Sequence, residues 1–194
     1  MIDLKGAILV GKGCRRIVYV HPDDDSRCIK VQNAEALAKT HRQKAHEREL
    51  YYLAFYERRG RRMDQVSSYH GSVATSEGEG QLFDLVRDHD GRISRTLAAK
   101  LAGGEIELEG CRREFEQLRN YLSGEGIIVA DLHAGNLARQ EWEPGKFRFV
   151  VIDGIGNTEF LKINDYLRWT ARRKAERKWS CFMKKLIHEW RAAE

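Results

Sequence analysis

Asp131-Leu132-His133-Ala134-Gly135-Asn136, followed downstream by Val150-Val151-Ile152-Asp153-Gly154, is the stretch on which the reading of this chain turns. The apolar run Ile127-Ile128-Val129 reads as a short buried strand that delivers Asp131 to a loop able to turn at Gly135. Asn136 follows Asp131 closely, and Asp153 emerges from a second apolar strand. A carboxylate at Asp131 can accept the proton of an attacking hydroxyl. Oxygen donors at Asn136 and Asp153 suit a hard divalent cation such as magnesium. Together these are the parts that phosphoryl transfer from ATP requires.

Two further parts are expected upstream, and both occur in order. Val10-Gly11-Lys12-Gly13-Cys14-Arg15-Arg16-Ile17-Val18-Tyr19 places two glycines between apolar segments, where backbone N–H groups can approach phosphate oxygens. The third glycine of a G-x-G-x-x-G pattern is replaced by Arg16, and the strand–turn–strand setting excludes a dinucleotide fingerprint. Lys30 lies in Cys28-Ile29-Lys30-Val31, where an ammonium on a central strand needs anions to offset its desolvation. Its carboxylate partner is expected from the long helix that follows. Glu49 is preferred because Tyr52, Leu53 and Tyr56 continue its face as apolar anchors, with Glu47 as the second choice.

The 194 residues suffice for one domain or two small lobes around a cleft, and a hydrophobic content of 42% fits a packed protein. The formal charge of +5 is unevenly spread, with basic residues at Arg58–Arg62 and along Arg168–Arg191. Such runs read first as solvated helix faces, and nucleic-acid binding ranks last among the functions considered. Cys14, Cys28, Cys111 and Cys181 form no C-x-x-C pair, so reduced thiols in a cytoplasmic protein are expected. Met1–Val10 lacks the apolar core of a signal peptide, and no run reaches the ~20 residues of a membrane span.

Apolar patterning predicts strands at Leu4–Val10, Ile17–His21 and Arg27–Val31, the last two joined by a turn at Pro22–Ser26. A helix is expected from about Ala36 to Arg59, ended by Gly60. Val66–Val73 and Gln81–Val86 read as two more strands, separated by Ser76–Gly80, completing a five-stranded antiparallel sheet. Helices are expected at Arg92–Leu101, Glu109–Leu122 and Ile163–Ala193, and short strands at Ile127–Ala130 and Phe147–Ile152. Leu137–Trp142 leads into a turn at Glu143-Pro144-Gly145. In the last helix Trp179, Phe182, Met183, Leu186, Ile187 and Trp190 are expected on a buried face, which makes these tryptophans core rather than a stacking platform. His133 reads as a structural loop residue rather than a base or ligand. The fold class is α+β, a small sheet lobe over residues 1–88 and a reduced, mostly helical lobe over residues 89–194.

The glycine turn, Ile29-Lys30-Val31, Leu82-Phe83-Asp84-Leu85-Val86-Arg87-Asp88, the Asp131–Asn136 loop and Ile152-Asp153-Gly154 together resemble the protein-kinase-like superfamily. Within it, the chain is similar to the family of the PhoP regulatory network protein YrbL. The resemblance implies a two-lobed kinase-like fold that binds Mg·ATP. It implies Gly11 and Gly13 over the phosphates, Lys30 on the α/β-phosphates and Glu49 orienting Lys30. It implies Phe83 at the back of an adenine pocket, hydrogen bonds to adenine from the backbone of Asp84 and Val86, Asp131 as base, and Asn136 and Asp153 on magnesium.

Three departures qualify the resemblance. Val129 and Ala130 precede Asp131 where protein kinases carry His and Arg, so switching through a phosphorylated activation loop is not expected. Asp153 is followed at once by Gly154, which shifts the D-x-G pattern. No A-P-E segment follows, so the expected acceptor is a small molecule or an unconventional substrate. The expected function is therefore γ-phosphoryl transfer to an unidentified hydroxyl acceptor, with a pseudokinase-like regulator acting through partner contacts as the alternative.

Overall fold

The structure is a computed structural model describing residues 1–13, 16–33, 40–157 and 167–191, with the side chains of 40–46 and 191 left aside. Five strands form one antiparallel sheet: β1 (Leu9–Lys12), β2 (Arg16–His21), β3 (Asp24–Gln32), β4 (Tyr69–Thr75) and β5 (Gly78–Asp84), in the order β1-β2-β3-β5-β4. The expected sheet is therefore present, with Lys30 on its central strand. Its hairpins are tighter than expected. His21 pairs with Asp24 across Pro22-Asp23, so β3 already starts at Asp24, and Asp25 and Ser26 lie in an irregularity between that pair and the pair of Val20 with Cys28 instead of forming a longer turn. Thr75 likewise pairs with Gly78 across Ser76-Glu77, which draws Gly78–Gly80 into β5. Leu4 is buried but lies outside β1, which starts only at Leu9.

Helix α1 (Thr40–Arg58) follows the sheet's first three strands. The expected start near Ala36 lies outside the described residues. Its inward face carries Glu49, Tyr52, Leu53 and Tyr56, all buried, while Glu47 is exposed. The Tyr56 hydroxyl accepts the Ile128 N–H at 3.0 Å in the interior, tying α1 to the run that leads into Asp131. Replacing Tyr56 by Phe leaves that N–H without its acceptor and is expected to cost about 1–3 kcal/mol. A urea denaturation midpoint equal to the wild type's would contradict this.

After β5 the chain crosses to the helical part through Leu85–Asp88. Helix α2 (Leu97–Ala102) is shorter than the expected Arg92–Leu101. Arg87 bridges Ile93 and the Ser94 N–H donates to the Val86 carbonyl at 2.9 Å, so this segment is held extended. Thr96 then caps the helix, its hydroxyl accepting from the Ala99 N–H at 3.2 Å. Helix α3 (Arg112–Glu125), entered through a 3-10 turn at Glu109–Cys111, buries Phe115, Leu118, Tyr121 and Leu122. Strands β6 (Leu137–Glu143) and β7 (Lys146–Val151) pair as a separate hairpin. Among the described residues Ile127–Ala130 does not form a full strand but a single bridge, Val129 opposite Ile155.

Helix α4 (Arg168–Arg191) packs on α3. Trp179 and Phe182 close an aromatic cluster with Phe115 and Phe149, and Leu186 is buried with them. The expected buried stripe is narrower than drawn, since Ile187 is 40% exposed on the flank of the helix. The expected start of this helix at Ile163 lies outside the described residues. One hydrophobic cluster runs from Val20, Cys28 and Phe83 in the sheet through Tyr52 and Leu53 of α1 to Leu118 and Phe149. Cys28, Cys111 and Cys181 are free thiols, while Cys14 lies outside the described residues. Among the described residues no helix is long and apolar enough to cross a membrane.

Candidate active site

Two loops meet below the sheet. The buried run Ile127–Val129 ends at Asp131, and the N–H groups of Ala130 and Asp131 donate to the Gly154 carbonyl at 2.8 and 3.2 Å. Asn136 closes the first loop: its side-chain amide donates to the Asp131 carbonyl at 2.8 Å, and its backbone carbonyl accepts the Ile152 N–H at 3.0 Å. His133 caps the short turn at Ala134–Asn136 by accepting the Gly135 N–H at 3.1 Å, the structural role expected of it. The Asp131 side chain itself is exposed at the cleft.

Gly154 is the weld between the loops. Its φ of +87° is left-handed, and a β-carbon there would sit 2.7 Å from the Asp131 carbonyl oxygen. Gly154→Ala therefore combines a strained backbone with a clash at a fixed atom, and should destabilise the fold by about 3 kcal/mol or more. Thermal unfolding checks this, and a melting temperature within a degree or so of the wild type's would contradict it.

Gly11, Gly13, Lys30, Glu49, Asp131, Asn136 and Asp153 all line one cleft of about 460 Å³, as do Asp84 and Val86 at its far end. The sequence-derived site residues thus converge, but the one pairing expected between them, Glu49 with Lys30, is not made. Glu49 does not orient Lys30. Its Oε2 accepts from Nη2 of Arg16 at 2.6 Å, and its Oε1 accepts the Gly154 N–H at 2.8 Å. The same Arg16 nitrogen donates to Oδ1 of Asp153. Lys30, 5% exposed, instead donates to the Ile152 carbonyl at 2.6 Å and lies 3.8 Å from the centroid of the Phe83 ring. The physical reason is reach: a guanidinium from β2 spans the gap between helix and loop, while the shorter, buried ammonium is satisfied behind it. Arg16 is a functional candidate that sequence reasoning passed over as a missing glycine. The signal was its period-two spacing from Val18, which lines the same cleft.

The charges follow from this arrangement. Burial alone would push the Asp153 carboxyl up, but the Arg16 guanidinium and the Lys30 ammonium outweigh it and hold the group down at about 2. Burial dominates at Glu49, whose carboxyl is pushed up despite Arg16. In the segment after β5 the Asp84 carbonyl already accepts from Oγ of Ser67 at 2.9 Å and faces the Cys28 thiol at 3.7 Å. Among the described residues nothing accepts from the Val86 N–H. Phe83 is fully buried behind Lys30 and does not itself line the cleft.

Residues 2–187 match the model of the family described as PhoP regulatory network protein YrbL. The chain belongs to that family. It is 32% identical to YrbL of Escherichia coli over 187 residues, which covers 94% of this chain and 87% of that protein. YrbL of Shigella flexneri matches to the same extent. Among solved structures, this YrbL-family chain is similar to a double-mutant PknI kinase domain of Mycobacterium tuberculosis, with a TM-score of 0.52 and 13% identity. That likeness covers 76% of this chain and 56% of the kinase-domain chain. The YrbL-family fold is thus kinase-like, an antiparallel sheet lobe joined to a helical part.

Proposed function

We propose that this YrbL-family protein binds Mg·ATP in the cleft and transfers the γ-phosphoryl group to a hydroxyl acceptor. The observation that carries the proposal is the convergence of Lys30, Asp131, Asn136 and Asp153, distant in sequence, on one cleft. Its volume, about 460 Å³, suits a nucleotide-sized ligand. Val10 and Val18 from the sheet and Ala138 from β6 offer apolar walls to a base, and the Val86 N–H offers a donor at its edge. Asn136 and Asp153 would hold magnesium. One carboxylate and one amide oxygen fit an ion that keeps waters and takes its other ligands from phosphates. When bound, the ion neutralises phosphate charge. Asp131, exposed to the cleft and fixed through its backbone, orients the acceptor hydroxyl and takes its proton. Catalysis is then mostly positioning and electrostatics.

The experiment is release of ADP by the full chain, with and without magnesium, across small-molecule and protein hydroxyl acceptors. Metal-dependent turnover stimulated by one acceptor class is expected. Absence of metal-dependent turnover with every acceptor would argue against the proposal. A second reading, a regulator that acts by partner contacts, draws on the Arg16 guanidinium seated on Asp153 and Glu49. It predicts saturable nucleotide binding without turnover.

A further inference from the structure

Arg16 stands where the third glycine of a G-x-G-x-x-G pattern would fall, and nothing in a glycine's role explains its contacts. One nitrogen, Nη2, serves both Glu49 and Asp153. The other, Nη1, is buried and has no hydrogen-bond partner among the described residues. The side chain keeps 13% of its surface and lines the cleft beside Gly11 and Gly13. A buried guanidinium N–H left unpaired is costly, and it persists where a ligand supplies the missing acceptor. Two carboxylates hold the fork in place, so little ordering remains when an anion arrives. Lys30 offers less, because its ammonium is already engaged by the Ile152 carbonyl and the Phe83 ring.

We propose that Arg16, aligned by Glu49, is the phosphate-binding cation of this cleft, with Lys30 supporting the site from behind. The proposal rests on the nucleotide-binding reading given above and assigns its triphosphate grip to a different residue and a different strand. On binding, a small rotation of the guanidinium brings Nη1, buried in the free protein, to a phosphate oxygen while Nη2 stays on Glu49.

The test is a pair of calorimetric titrations, ATP and adenosine, on the full-length wild type, Arg16→Gln, Arg16→Lys and Glu49→Gln. Arg16→Gln should weaken ATP about ten- to hundredfold, the size of a lost charge-assisted hydrogen bond. Adenosine affinity should stay within about twofold, since adenosine carries no phosphate to lose. Glu49→Gln should reproduce part of the ATP-selective loss. Melting curves establish folding. If Arg16→Gln does not fold, Arg16→Lys, which keeps the charge but not the fork, carries the test and should still lose ATP affinity selectively. ATP affinity unchanged in the folded Arg16 variant would overturn the assignment, as would equal loss of ATP and adenosine. Wild type that binds neither ligand would instead remove the nucleotide reading itself, a result distinct from both.

Discussion

Asp131→Ala is expected to slow phosphoryl transfer about 10²–10⁴-fold, the usual contribution of a positioned general base. ATP affinity should remain within about twofold, because the residue is assigned to the acceptor and not to the nucleotide. The loop should survive the change. Asp131 is fixed by its backbone, through its N–H to Gly154 and its carbonyl to Asn136, while its side chain lies exposed. Single-turnover rates measured beside melting curves separate chemistry from folding. A rate close to the wild type's would remove Asp131 from the mechanism, and a lowered melting temperature with weakened ATP binding would make it structural.

The second large effect belongs to Asp153. Asp153→Asn should abolish the gain in ATP affinity that magnesium confers and lower turnover by about a thousandfold. It also removes a charge from Arg16, so ATP affinity without metal should change far less than affinity with it. The pH dependence has a definite sign. The folded Asp153 carboxyl sits at about 2, below its ordinary value. Its stabilising contribution is therefore present above about pH 4 and is lost as pH falls from about 4 towards 2. The variant should lack this acid-labile part, giving a flatter stability profile over that window. An unchanged acid limb would show that Asp153 is not held by Arg16 and Lys30.

The parts of the site legible in the sequence were those whose identity follows from local pattern. Asp131, Asn136 and Asp153 stand at the ends of apolar runs, and a loop after a buried run must emerge at the same edge as its neighbour. The buried face of α1 was readable because Glu49, Tyr52, Leu53 and Tyr56 share helical spacing. What was not legible depended on partners far away in sequence. Arg16 reaches Asp153 across 137 positions, and no local signal separates a guanidinium that fills a glycine's place from one that grips a carboxylate. The late start of α2 depends on the Ser94 tie to Val86, and the exposure of Ile187 on how much of α4 its neighbours cover. Hairpin lengths are hard to read because polar residues such as Asp24 read as turn yet pair at a sheet end, as Asp24 does with His21.

Titration of the full-length protein with ATP, in the presence and absence of magnesium, puts the shared premise at greatest risk. Saturable one-to-one binding, tightened by the metal, is the expected result. No detectable binding in either condition would mean that the meeting of Lys30, Asp131, Asn136 and Asp153 serves some end other than a nucleotide.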